Sequence, residues 1–246
     1  MNSRLTARRL AVLLLFVSIL LYGINFLLFG DGAVIASGFL GNLAFLPLYV
    51  LFVTLIIEKV LKERERHAIR QKLNMVIGVF FSEVGTAMLR DCLVFIDNSA
   101  ELAGHLRITM HWAPKDFRRA ATYLDGVSVG VESRQGDLSC LKRFLAEKRG
   151  FMLGLLENPN LLEHDEFTDL LWAVFHLIEE LEARSSFAGL SAADLDHLSG
   201  DINRVYSLLL REWLTYIRHL KQDYPYLFSL AVRTNPLNPE ARAEIT

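Results

Sequence analysis

Cysteine is scarce in this 246-residue chain: there are two, Cys92 and Cys140, far apart and in no C-x-x-C pairing. That scarcity suits a reducing cytoplasm and argues against a disulfide framework or a zinc site. The signatures G-x-x-x-x-G-K-S/T, G-x-G-x-x-G, H-E-x-x-H and G-x-S-x-G are absent too, so no standard catalytic motif supports an enzyme, and no cofactor is expected. A basic surplus is also missing. The formal net charge is −2, and residues 58–246 hold 23 Lys+Arg against 27 Asp+Glu, a difference of −4. Nucleic acid is therefore a poor partner. No internal repeat or low-complexity stretch is evident.

Charge is absent from two long stretches, Leu10–Gly30 and Gly32–Ile57, which are separated by Asp31. A helix needs about 20 apolar residues to cross the hydrocarbon core of a bilayer. Both stretches meet that length, so residues 1–57 read as a transmembrane hairpin with spans near 10–30 and 38–57 and a short turn around Gly30–Gly38. Arg4, Arg8 and Arg9 precede the first span, no Lys or Arg lies between the spans, and Lys59, Lys62, Arg64, Arg66, Arg70 and Lys72 follow the second. Short loops rich in Lys and Arg stay in the cytoplasm. The expectation is a multi-pass membrane protein with both termini cytoplasmic. A cleaved signal peptide has an apolar core of about 7–15 residues, and Leu10–Phe29 exceeds it. The lipid bilayer is the first expected partner. Glu58, Glu63 and Glu65 temper the cations of the following segment, so its attraction to anionic lipid is modest.

The remaining sequence predicts an all-α fold: a charged juxtamembrane helix over 58–72, a cytoplasmic helical domain over 73–232 and a tail over 233–246. The 189 residues after Ile57 are enough to bury a substantial core. Leu73–Ile96 is apolar on nearly every face and reads as a central, mostly buried helix, because Glu83, Arg90 and Asp91 make a third span costly. Asn98-x-x-Glu101 reads as a helix cap, Pro114 as a first-turn proline, and Asp125–Gly136 as a loop or a brief strand. Asp137 opens a helix to about Glu157. Phe167, Leu170, Leu171, Val174, Leu177, Ile178 and Leu181 mark an amphipathic helix over His164–Arg184. Ser191-x-x-Asp194 caps a last long helix running to about Asp223.

Candidate sites are few. Glu83 is a carboxylate in the most apolar cytoplasmic helix, either a functional group or metal ligand, or half of a buried ion pair. His176 and Glu179 are the weak metal candidates beside it. Di-iron bundles use Glu-x-x-His on two helices, whereas His176-x-x-Glu179 has the reverse order and occurs once. Asp169, His176 and Glu180 lie off the apolar stripe and read as a solvated face. Glu212, His219 and Asp223 share a helical side and read as surface. Asp31, Asn42 and Asn25 are the polar groups at the outer ends of the spans, where they line a pore mouth or cap a tight turn. Ala33, Ser37 and Gly41 recur at the spacing that lets membrane helices approach closely, or belong to a loose turn. Pro47 lies inside the second span and predicts a kink.

Three readings of function follow. The first is a non-enzymatic, homo-oligomeric membrane assembly whose cytoplasmic domain acts as scaffold, sensor or docking site for a cytoplasmic protein. The second is a small oligomeric ion channel gated by that domain. The third is a membrane-anchored metal-binding bundle or enzyme.

Overall fold

The computed structural model describes residues 16–27, 32–158, 161 and 164–244. The chain forms two units, Met1–Arg66 and His67–Thr246.

In the first unit, α1 is described over Phe16–Leu27, and α2 begins at Gly32 within its full extent of Gly32–Phe80. The turn expected around Gly30–Gly38 is corrected from Gly32 onward. The helix runs through Gly38, Gly41 and Pro47, and Ser37 donates its hydroxyl to the Val34 carbonyl (3.0 Å) inside it. Ala33, Ser37 and Gly41 thus stand on one helical side rather than in a loose turn. Among the described residues, one helical run, Gly32–Phe95, contains a stretch long and apolar enough to cross a membrane by length and composition. The described part of α1 is shorter than that, and residues 10–15 and 28–30 of the expected first span lie outside the described residues. Large apolar side chains on both helices point outward, Leu27 being 84% exposed and Phe52 66%. Tyr22 of α1 meets Phe39 of α2 edge-to-face, with ring centroids 6.2 Å apart.

The second unit is all-helical, and among the described residues no strand forms. Its helices after α2 are α3 (Thr86–Asp91), α4 (Ser99–His105), α5 (Pro114–Gly126), α6 (Leu138–Leu156), α7 (Asp165–Ala183), α8 (Ala192–Asp223) and α9 (Pro225–Arg233). Leu73–Ile96 is not one regular helix. It passes through a π turn at Phe81–Gly85 and a 3₁₀ turn at Cys92–Phe95. A Cβ at Gly85 would sit 2.6–2.9 Å from the Phe80 and Phe81 rings, so the bare backbone is what lets two large rings pack there. The segment buries one side, including Leu73, Ile77, Phe80, Val84 and Met88, while Met75, Val79 and Val94 remain exposed. Of the two readings of Asp125–Gly136, loop or brief strand, the loop holds, with one isolated bridge, Ile96 to Val131.

The helix ends follow local chemistry. His164 accepts the Phe167 N–H at Nδ1 (3.1 Å) and opens α7. Ser191 accepts the Asp194 N–H (3.2 Å) and opens α8, and Asp137 accepts the amides of Ser139 and Cys140 to open α6. Asn98 is corrected as a cap. It precedes α4 without a side-chain cap bond and instead accepts the Gly130 N–H (3.1 Å). Every apolar residue of the stripe expected on α7 is buried. The most extensively packed pair is α7 with α8, followed by α6 with α7. Trp213 and Tyr206 of α8 are fully enclosed, and Phe80 packs edge-on against Phe167 with centroids 5.2 Å apart.

Gly136 carries a test of this packing. A Cβ there would lie 2.3–2.7 Å from the buried Phe95 ring, whereas nothing lies within 4 Å of one at Gly126. Gly136→Ala is expected to destabilise the protein by about 1–3 kcal/mol through overpacking. Gly126→Ala, at the end of α5, is expected to be neutral or stabilising by about 0.5 kcal/mol. Chemical denaturation of the full chain in mild detergent compares them.

Candidate metal centre

The antiparallel α7 and α8 bring together four side chains from two i, i+4 pairs. His176 and Glu180 come from α7, His197 and Asp201 from α8, and one ligand atom of each lies within 4.8 Å of all the others. Nitrogen and oxygen alternate around the group. His176 Nε2 is 3.5 Å from Asp201 Oδ1 and 4.0 Å from Glu180 Oε1. His197 Nε2 is 3.4 Å from Glu180 Oε2 and 3.3 Å from Asp201 Oδ2. A tetrahedral ion with bonds of about 2.0–2.2 Å separates its ligand atoms by roughly 3.3–3.6 Å. Three of the four distances match that spacing and the one from His176 to Glu180 is longer; each carboxylate meets one histidine with one oxygen and the other histidine with its second.

Asp201 makes the group unusual. Its residue is 3% exposed, and Oδ2 has no hydrogen-bond partner although His197 Nε2 is near in distance. A buried carboxylate oxygen without a hydrogen bond is costly. Arg204 lies 3.6 Å from Oδ1, on the other oxygen. Glu180 is held from behind by Arg184, whose guanidinium donates to its carboxylate (2.8 Å) and to its backbone carbonyl. That hydrogen bond keeps the Glu180 carboxyl below its usual range despite partial burial. Arg184 also pairs with Asp194 (2.5 Å) at the start of α8. Hydrogen bonds of this kind, made to a carboxylate by a neighbouring side chain, orient it toward an ion. The donor set, two imidazoles and two carboxylates, suits a divalent transition ion such as zinc.

The structure redistributes the sites expected from sequence. His176 belongs to the cluster, but its partner is Glu180; Glu179 is exposed and takes no part. The face carrying His176 and Glu180 is corrected from solvated to half-buried, because α8 supplies Asp201 and His197 against it. Glu83 is exposed rather than buried, on the side of the segment that carries Met75 and Val79, and it pairs with Lys148 of α6 (3.3 Å). The cysteine pattern argued against a zinc site, but the four side chains gathered here are imidazoles and carboxylates and need no thiolate. Cys92 is indeed buried, its thiol pushed up to about 12 by burial. Asn25 and Asn42 are exposed on α1 and α2, and Asp31 lies outside the described residues.

Glu212, His219 and Asp223 part company. His219 Nδ1 is 2.8 Å from Asp223 and 3.3 Å from the Asn74 amide. Glu212 is corrected from surface to core at 2% exposed, with Oε2 unpartnered. Burial, and then the charge of Glu166, push its carboxyl up to about 7.

His197 and Asp201 were missed in the sequence. The signal was two histidines, each four residues before a carboxylate, on consecutive antiparallel helices.

These features define an all-helical protein with an apolar N-terminal unit and a histidine–carboxylate cluster in its C-terminal unit. The chain belongs to the MJ1433 family: the model of the MJ1433 N-terminal helical domain matches residues 2–61, and that of the C-terminal helical domain matches residues 69–233. It is 44% identical over 238 residues to the uncharacterized protein MJ1433 of Methanocaldococcus jannaschii, covering 97% of this chain and 96% of that protein. No solved structure matches.

Glu212 gives a pH test. Its folded value, about 7, exceeds the unfolded 4.5. Folding therefore favours the protonated form, so its contribution is fullest at low pH and is lost as pH rises toward the folded value. Glu212→Gln is expected to flatten that slope and to stabilise the protein above about pH 7, by no more than about 3 kcal/mol. Denaturation midpoints across this range check it.

Proposed function

We propose that this protein is a membrane-anchored, non-enzymatic module whose C-terminal helical domain takes up one divalent transition-metal ion and uses it as a sensor or docking element. The observation that carries the reading is the alternating ring of His176, Glu180, His197 and Asp201, with a buried oxygen of Asp201 lacking a hydrogen bond. Four protein ligands complete a four-coordinate ion and leave no open position for substrate, which favours a structural or regulatory ion over a catalytic one. The sequence expectation of no bound cofactor gives way to this ion.

The membrane part of the proposal is a two-helix hairpin of α1 and α2. The Tyr22–Phe39 contact and the outward-facing apolar side chains of both helices support it. Such a surface is relieved by lipid. The distribution of Lys and Arg puts both termini on the cytoplasmic side. Ala33, Ser37 and Gly41 offer a second copy a close approach, and nothing lies within 4 Å of a Cβ at Gly41. A homo-oligomer is the proposed state, with lipid and a cytoplasmic protein as partners. The channel reading gains no specific support from Asn25 or Asn42.

A native mass spectrum of the full-length protein, loaded with zinc and released from mild detergent, tests the proposal. The expected result is a closed oligomer with one zinc per chain. The double variant His176→Ala, His197→Ala is expected to lose the metal, and Glu83→Gln and Glu179→Gln to keep it. Because ligation needs neutral imidazoles, uptake is expected to weaken on acidification. Zinc-free wild type, or zinc retained by the double variant, contradicts the metal centre. A monomer contradicts the oligomer.

A further inference from the structure

A second polar cluster lies along the same helix pair and does a different job. A cavity of about 350 Å³ opens beside Glu212, with Glu166 and Asp169 of α7 also on its wall. Among its apolar lining are Leu124, Leu208 and Leu214. Two independent observations mark it as built for a ligand. Four carboxylates line one cavity, Asp125, Glu166, Asp169 and Glu212, and the deepest of them, Glu212, is 2% exposed with Oε2 lacking a hydrogen-bond partner. Arg211 at the rim is matched by Asp125 (3.6 Å), so the carboxylates set the sign of the site and an anion is disfavoured.

The neighbouring histidine decides between a metal and an organic cation. His164 has a ring atom within 4.8 Å of oxygens of Glu166 and Glu212. Its Nδ1 already accepts the Phe167 N–H, so in the neutral ring Nε2 carries the proton and donates. A donating nitrogen cannot ligate a metal. The leucine side chains offer nothing to a bare ion but cover an alkyl stem well. We propose that this cavity binds a small organic amine, with its ammonium on Glu212 and Glu166 and its alkyl chain against the leucines. This goes beyond the metal-centre reading and stands without it.

The groups facing Glu212 are Glu166, Asp169 and His164 at the start of α7, Asp125 of α5, and Arg211 of its own helix. Since burial holds much of Glu212 protonated near neutrality, an arriving ammonium displaces its proton.

Isothermal titration of the full-length protein in mild detergent with 1,4-diaminobutane, near neutral pH in two buffers of different ionisation heat, tests this. The expected result is one site per chain, net proton release on binding, and affinity about tenfold or more weaker in Glu212→Gln. Glu212→Asp keeps the charge and is expected to recover part of the loss. A melt confirms that each variant is folded. The double variant His176→Ala, His197→Ala is expected to bind the diamine normally, which separates this site from the metal centre. Absence of diamine binding, equal binding by folded Glu212→Gln, or saturable Mg²⁺ binding at Glu212 in place of the diamine overturns the proposal.

Discussion

The antiparallel packing of α7 on α8 is the constraint on which the helical unit depends. Both helices are longer than their caps and propensities alone would sustain, and helices in water draw most of their stability from a buried apolar face. Here that face is continuous, from Phe167 to Leu181 on α7 and from Leu198 to Leu220 on α8. Once the register is fixed by these side chains, the polar residues beside the seam have no freedom of partner. The register that puts His176 beside Asp201 and Glu180 beside His197 also puts Glu166 beside Glu212. At about 1.5 Å rise per residue, the nearest members of the two clusters, His176 and Glu166, are roughly 15 Å apart along α7.

The apolar seam supports what would otherwise be expensive. Asp201 and Glu212 are carboxylates in the core, each with an oxygen that has no hydrogen bond. Burying such groups without partners costs stability, and a bound cation answers that cost at both places. The two sites differ in what surrounds the oxygen. At Asp201 it is imidazole nitrogens, which suit a transition metal. At Glu212 it is leucine and a histidine already committed as an acceptor to the helix amide, which suit an organic cation.

Much of the helical pattern was legible in the sequence because it is local. The 3–4 spacing on α7, the Ser191 and Asp137 caps and the first-turn Pro114 each depend on neighbours within a turn or two. What depended on packing was not legible. Glu83 stood in the most apolar segment, yet that segment packs by the side carrying Phe80, Val84 and Met88 and leaves Glu83 exposed with Met75 and Val79. His176 was visible, but a single helix offers it Glu179 and Glu180 alike, and the choice falls to α8. Glu212 sat one turn before Tyr216 and two before His219 on a helical side that looks polar, and it is a core residue where α5 and α7 residues wall the cavity with it. The turn into α2 was misplaced because glycine reads as a breaker, while the hydrogen bonds from Gly32 onward are those of a helix.

X-ray absorption at the zinc edge of the metal-loaded full-length protein tests the metal centre most directly. The predicted spectrum has four nitrogen or oxygen neighbours at about 2.0–2.2 Å, with the outer-shell scattering of two imidazoles, which is lost in the His176→Ala, His197→Ala variant. A shell of water-like oxygens, or imidazole scattering unchanged in that variant, would contradict it.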